Sequence, residues 1–202
     1  MISRRGFLAG SIALVAWPRP ARPGTPALPT PGLVAANGSL APGVAAMLEA
    51  AQYAYVSPLR SDGSASTCHG EVWFAWLDGT VVTTTSKGSW KARALGRGLD
   101  RARLWFGNYG RWKHPGARNE AFRRGPNFEA RASLEPDAAV LDRVITVYGR
   151  KYPEEIGRWR ERMRREQAAG ERLILRYHPL PSPPGRPAES PAPAAPKQPA
   201  AP

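Results

Sequence analysis

The chain is poor in the residues that build covalent or metal cross-links. Cys68 is its one cysteine, so no intramolecular disulfide can form, whatever the compartment. The three histidines, His69, His114 and His178, are scattered and lack the spacing of a zinc site. Cys68 and His69 are adjacent, but neighbours on a strand point to opposite faces, which argues against a metal clamp or a Cys/His nucleophile pair. Acid is scarce as well. Sixteen Asp and Glu stand against 29 Lys and Arg, for a formal charge of +13. No paired carboxylates and no Ser/His/Asp set suggest hydrolysis. No long hydrophobic run occurs either. The apolar stretch from Ala9 to Trp17 falls well short of the roughly 20 residues that span a bilayer, so no stable membrane span is expected after processing.

What is present begins at the N-terminus. Ser3-Arg4-Arg5-Gly6-Phe7-Leu8 sets two arginines before that short apolar stretch. A basic head followed by a short apolar segment reads as a targeting peptide rather than a core helix, and the pattern resembles the twin-arginine (Tat) signal. The resemblance implies engagement by the Tat translocase and export of a folded chain to the periplasm or beyond. Nucleic acid is then not an expected partner. The positive charge suits anionic lipid or a phosphorylated ligand, or is simply solvated. Val34-Ala35-Ala36 fits the small-x-small cleavage rule. Residues 1–36 are therefore read as the signal and the start of a spacer, and 37–42 as a linker. The Pro/Ala-rich stretch 181–202 is read as a disordered tail that cannot bury enough apolar surface to order itself. Residues 43–180 remain as one folded domain.

Within that domain Val44, Met47, Leu48 and Ala51 recur at helical spacing. Tyr53–Arg60 reads as a strand, Ser61-Asp62-Gly63-Ser64 as a turn, and Ser66–Leu77 as a second strand. Asp78-Gly79 is a two-residue hairpin signal, and Thr80–Thr85 is a β-branched third strand. A short helix is predicted to begin near Ser89 and to end at Gly96 or Gly98. Strands follow at Arg103–Tyr109 and Asn127–Leu134, separated by a basic loop punctuated with Gly and Pro. The apolar spacing from Val140 to Tyr148 marks a helix. Pro153 opens another over Glu154–Ala168, and Arg172–His178 alternates as a last strand. Strands joined by tight turns, with few crossover helices, predict a mainly β domain with some α, an antiparallel barrel.

The stretch with most chemistry lies between the third strand and the short helix, Ser86-Lys87-Gly88-Ser89-Trp90-Lys91-Ala92-Arg93. A helix start offers unpaired N–H groups, Ser89 a hydroxyl, and Lys87, Lys91 or Arg93 a countercharge, which together suit a phosphate. The glycine spacing is not that of a Walker loop. A capped helix with a solvated basic face is the plain alternative.

The run from Tyr53 to Leu104 resembles the pyridoxamine 5′-phosphate oxidase-like split-barrel flavoproteins. The matching pieces are Ser57-Pro58-Leu59-Arg60-Ser61-Asp62-Gly63, Glu71-Val72-Trp73-Phe74, Asp78-Gly79, Thr83-Thr84-Thr85 and Ser89-Trp90-Lys91-Ala92-Arg93-Ala94-Leu95. Between Gly63 and Val72 the segment is longer than the family pattern, and Gly70 there marks a bulge or a close approach to a ligand. The resemblance implies an antiparallel split β-barrel binding FMN, or the deazaflavin coenzyme F-420, at a homodimer interface. It further implies that Ser89 and Lys91 hold the phosphate and that the third strand runs under the rings, with Thr83 and Thr85 on one face and Thr84 on the other. Arg60 reaches the phosphate or the ring edge, or is solvated. Val72 lines the ligand, Trp73 lines it or packs in the core, and Trp90 does either or lies at an interface. An exported oxidoreductase acting on a small organic substrate is the implied function. A non-catalytic cofactor- or haem-binding protein on the same barrel is the alternative, and a ligand-free surface protein is a third reading.

Overall fold

The computed structural model describes residues 33–35, 37–110, 113, 114, 117, 118 and 120–181. The twin-arginine segment and the tail from residue 182 lie outside the described residues. The elements run α1 (Val44–Ala50), β1 (Tyr53–Pro58), β2 (Gly70–Val72), β3 (Ala75–Leu77), β4 (Thr80–Ser86), α2 (Trp90–Gly96), β5 (Arg101–Gly107), β6 (Lys113–His114) and β7 (Ala117–Arg118). A 3₁₀ turn (Ala121–Arg124), β8 (Asn127–Leu134), α3 (Val140–Lys151), α4 (Pro153–Ala168) and β9 (Arg172–Pro179) complete the chain.

Seven strands form one antiparallel sheet in the order β2-β1-β5-β8-β9-β4-β3. β2 and β3 stand at opposite ends of that order, yet only Trp73 and Phe74 separate them in sequence. The sheet therefore has to curl until its two edges meet, which makes the split barrel. The single second strand expected over Ser66–Leu77 is thus two. β2 pairs with β1 and β3 with β4, and the chain crosses from one edge to the other at Trp73-Phe74. Side chains fix the crossing. Phe74 is fully buried inside the barrel, while Trp73 turns outward and stacks on Tyr152, with ring centroids 4.3 Å apart and planes 11° apart. The Trp73 carbonyl accepts from Thr83 Oγ1 at 2.7 Å and from Tyr148 Oη at 2.8 Å.

Strand alternation separates two faces. Ala54 and Val56, Ala102, Leu104 and Phe106, Phe128 and Ala130, and Leu175 and Tyr177 point inward and form the barrel core. On the outside, α3 and α4 cover β3, β4 and β9. Val140, Leu141, Val144, Ile145 and Tyr148 make the apolar stripe of α3, packed on Val82 and Ile174. A second outer cluster, Tyr55, Trp105 and Phe122, pins the loop after β5. The β3–β4 turn takes the left-handed conformation at Asp78 (φ 51°) and Gly79 (φ 74°), the geometry a two-residue hairpin needs.

The core also reaches further back than residue 43. Leu33 and Val34 are 6% and 1% exposed and join the barrel core. Val34 bridges Leu40, and the Ala41 N–H donates to the Leu33 carbonyl at 2.9 Å. Part of the segment read as signal and spacer is therefore structural.

Candidate functional site

β4 leads into α2, and its residues alternate as the sequence implies. Thr83 and Thr85 stand opposite Leu175 and Leu173 of β9, whereas Thr84 stands opposite Ile174 on the other face. Thr84 Oγ1 there accepts from Arg172 at 3.1 Å. Thr85 Oγ1 donates to Ser89 Oγ at 2.8 Å. Ser89 is the N-cap of α2. Its backbone is extended (φ −69°, ψ 156°), and its Oγ accepts from the Ala92 N–H at 3.2 Å. The Ser89 hydroxyl accepts twice in this arrangement, which leaves its own hydrogen to be donated. Arg93 folds back and donates to the Gly88 carbonyl, so it braces the turn.

Lys91 lies half-buried at the first turn of α2. Its Nζ is 4.8 Å from the centroid of the Trp90 ring. Gly70 makes this approach possible. A Cβ there would stand 3.1 Å from Trp90 Cζ2 and 3.7 Å from Lys91 Nζ. Among the described residues no ion pair to a carboxylate is found for Lys91. Burial pulls its ammonium below the usual lysine value, and the nearby Cys68 partly opposes that shift. Under α2 runs a cleft lined by Val56, Leu95, Leu99, Leu175 and Tyr177, with Lys91 and Arg101 also on its walls. It has room for about 20 Å³, on the order of one water.

The sequence-derived residues thus fall into four groups. Gly70, Thr85, Ser89, Trp90 and Lys91 converge at the β4–α2 turn. Trp73, Thr83 and Thr84 are engaged outside that turn: Trp73 in the stack with Tyr152, Thr83 on the Trp73 carbonyl and Thr84 by Arg172. Val72 packs in the barrel core and pairs with Ala54 across β1 and β2. Arg60 is exposed in the turn after β1, whose backbone closes on Gly63 and Ser64, and it does not line the cleft under α2. The cleft walls Leu95, Leu99 and Leu175 come from α2, the α2–β5 turn and β9, and nothing in their local sequence marks them. No group of three or more His, Cys, Asp or Glu among the described residues could hold a metal ion. No described helix is long and apolar enough to cross a membrane.

The donor set fits a phosphate in its chemistry: one half-buried cation with no carboxylate partner among the described residues, one hydroxyl hydrogen, and a glycine whose missing Cβ keeps Trp90 and Lys91 close. The cleft beside it is far too small for a tricyclic ring, since ligand pockets of that kind measure roughly 300–1,000 Å³.

No protein family model matches the chain, and no curated protein does. Solved structures similar to it include HutZ, the haem storage protein from Vibrio cholerae, at 14% identity and TM-score 0.45, over 70% of this chain and 90% of that one. A FAD-binding protein from Mesorhizobium loti matches at 12% identity and TM-score 0.41, over 70% and 91%. A conserved hypothetical protein from Mycobacterium tuberculosis matches at 18% identity and TM-score 0.44, over 68% and 79%. At these values the matches assign neither ligand nor activity. The curled antiparallel sheet and its helices are those of a split barrel of mixed β and α structure.

Proposed function

We propose that the chain binds a phosphorylated flavin-type cofactor, FMN or the deazaflavin coenzyme F-420, and serves as an oxidoreductase toward a small organic substrate. The observation that carries this reading is Lys91, a half-buried cation with no carboxylate among the described residues, set beside the Ser89 cap at the end of β4. Lys91 Nζ and the Ser89 hydroxyl would take the phosphate. When bound, the cofactor supplies hydride chemistry, and the protein's part is placement and exclusion of water. A cleft of about 20 Å³ cannot enclose the rings within one chain. The reading therefore includes a homodimer whose second copy completes the site. Leu99 and Leu134, 54% and 55% exposed, supply apolar surface for that contact. Export by the Tat translocase to the periplasm or beyond belongs to the same proposal.

Fluorescence titration of FMN and coenzyme F-420 into wild type and Lys91→Ala tests it. Charge-assisted hydrogen bonds contribute about 1.5–3 kcal/mol, so the variant should bind about 10- to 100-fold more weakly. Riboflavin, lacking the phosphate, should not distinguish the two proteins. Equal FMN affinity in both would place the phosphate elsewhere.

A further inference from the structure

His69 is buried, its side chain 1% exposed. Its ring meets Phe122 and Trp105 edge-on, at centroid distances of 5.5 and 6.4 Å. Arg123, from the 3₁₀ turn, reaches over both aromatic rings and sets its Nη2 2.7 Å from His69 Nε2. A guanidinium donates hydrogen bonds and accepts none, so Nε2 must be the acceptor. The ring is then neutral, with its hydrogen on Nδ1. Glu120 accepts from Arg123 Nε at 3.0 Å, and its other oxygen lies 4.0 Å from the same His69 Nε2.

A proton arriving at Nε2 turns this acceptor into a donor that faces a donor of like charge. Arg123 must then withdraw, and Glu120 is the group placed to take the new N–H. The two side chains are 28% and 46% exposed, so the exchange moves no core residue. Among the described residues, the other titratable and charged groups nearby are Tyr55 and Tyr109 behind Phe122, Arg124 in the same turn, and Cys68 and Glu71 along the chain. Burial raises both phenols, which therefore stay protonated through the acid range. Glu71 favours the charged ring, as Glu120 does, and Arg124 opposes it.

The next residue carries the event to the β4–α2 turn. Gly70 pairs with Val56 across β1 and β2, and a Cβ on it would stand 3.1 Å from Trp90 Cζ2 and 3.7 Å from Lys91 Nζ. A shift of His69 is thus a shift of the backbone against which Trp90 and Lys91 are set.

We propose that His69, Arg123 and Glu120 form an acid switch that loosens the Gly70 contact with Trp90 and Lys91 and so weakens anion binding there. The effect on the anion rests on the phosphate reading; the exchange of partners at His69 does not.

Nuclear magnetic resonance of the full chain, with nitrogen-labelled histidine, tests the exchange without any ligand. His69→Gln assigns the signal. At neutral pH the His69 ring should carry its hydrogen on Nδ1. Arg123→Gln keeps a donor but removes the charge, so His69 should bind a proton about 10-fold more tightly. Glu120→Gln should make it bind about 3-fold more weakly, the smaller effect reflecting an exposed carboxylate. A hydrogen on Nε2 at neutral pH, or variants that leave the titration where it was, would overturn the proposal. FMN affinity tests the coupling. Between about pH 7.5 and about pH 5.5 the wild type should lose about 5-fold more affinity than His69→Gln, which still accepts from Arg123 but takes no proton. Protonation of the FMN phosphate is common to both proteins and cancels, so parallel profiles would refute the coupling. Should neither protein bind FMN at about pH 7.5, the cofactor reading falls, and Trp90 emission, taken as wild type minus Trp90→Phe, decides the switch. An acid-induced shift that His69→Gln lacks upholds it, and no shift overturns it.

Discussion

Replacing Leu33 and Val34 together by alanine tests whether this N-terminal segment is part of the core. Both side chains are almost fully buried, and they belong to the core cluster that contains Val44 and Leu48. Leu→Ala at a buried site costs about 2–5 kcal/mol, and Val→Ala removes roughly two methyl groups at about 0.8 kcal/mol each. The two sites are neighbours and the segment can partly collapse, so the costs do not simply add. A loss of about 3 kcal/mol is expected. In a domain near 150 residues each kcal/mol shifts Tm by about 2–4 °C, which gives a drop of about 6–12 °C. Urea unfolding followed by circular dichroism measures it, with Leu99→Ala as a control. Leu99 is 54% exposed, and its loss should stay within about 0.5 kcal/mol. If the double variant unfolds within that same margin, the segment is not part of the core and the domain starts near Gly43. If the expected loss is found, proteolytic removal of the chain through Ala36 would strip two core side chains. A stable exported form should then begin before Leu33, which N-terminal sequencing reads directly.

Three other outcomes follow from particular residues. Burial holds the Lys151 ammonium down to about 8 against an ordinary 10.5. Between those values the unfolded chain binds more protons, so stability should rise by about 1–2 kcal/mol from pH 8 towards pH 10, allowing for solvent screening. Lys151→Met should flatten that slope in chemical denaturation. Above pH 10 the raised phenols of Tyr148, Tyr152 and Tyr177 act in the opposite sense, since ionising them destabilises the fold. Gly70→Ala puts a methyl 3.1 Å from Trp90 Cζ2, so the indole must move. Trp90 emission should shift and FMN affinity should fall several-fold while stability changes by less than about 1 kcal/mol, and unchanged emission would refute the close approach. Replacing Arg4 and Arg5 by lysine should leave the protein in the cytoplasm, and continued export would end the Tat reading.

Local signals in the sequence were enough for most of the elements. The Asp78-Gly79 turn, the β-branched run of β4, the Ser89 cap and the apolar stripe of α3 each depend on residues within a few positions of one another. Backbone preference and side-chain period act at that range, so the sequence alone located these elements within a residue or two. It also indicated that β4 leads into a polar, basic helix start, and that Thr84 faces away from Thr83 and Thr85. Tertiary structure decided what depends on residues far apart in the chain. The break between β2 and β3 arises because Phe74 fills the barrel while Trp73 stacks on Tyr152, a contact 79 positions away. A continuous apolar run cannot announce such a crossing, because both neighbours favour a strand. Val72 entered the core and Arg60 stayed in solvent for the same reason, since burial is set by what packs opposite. Leu33 and Val34 lie in a Pro- and Ala-rich stretch whose composition reads as a spacer, and only packing in the barrel-core cluster buries them. The setting of Lys91 is likewise tertiary. Its neighbour in sequence, Trp90, and the distant Gly70 close around it only once β2 and α2 are brought together, and that enclosure removes the water that would keep its amine an ordinary surface cation.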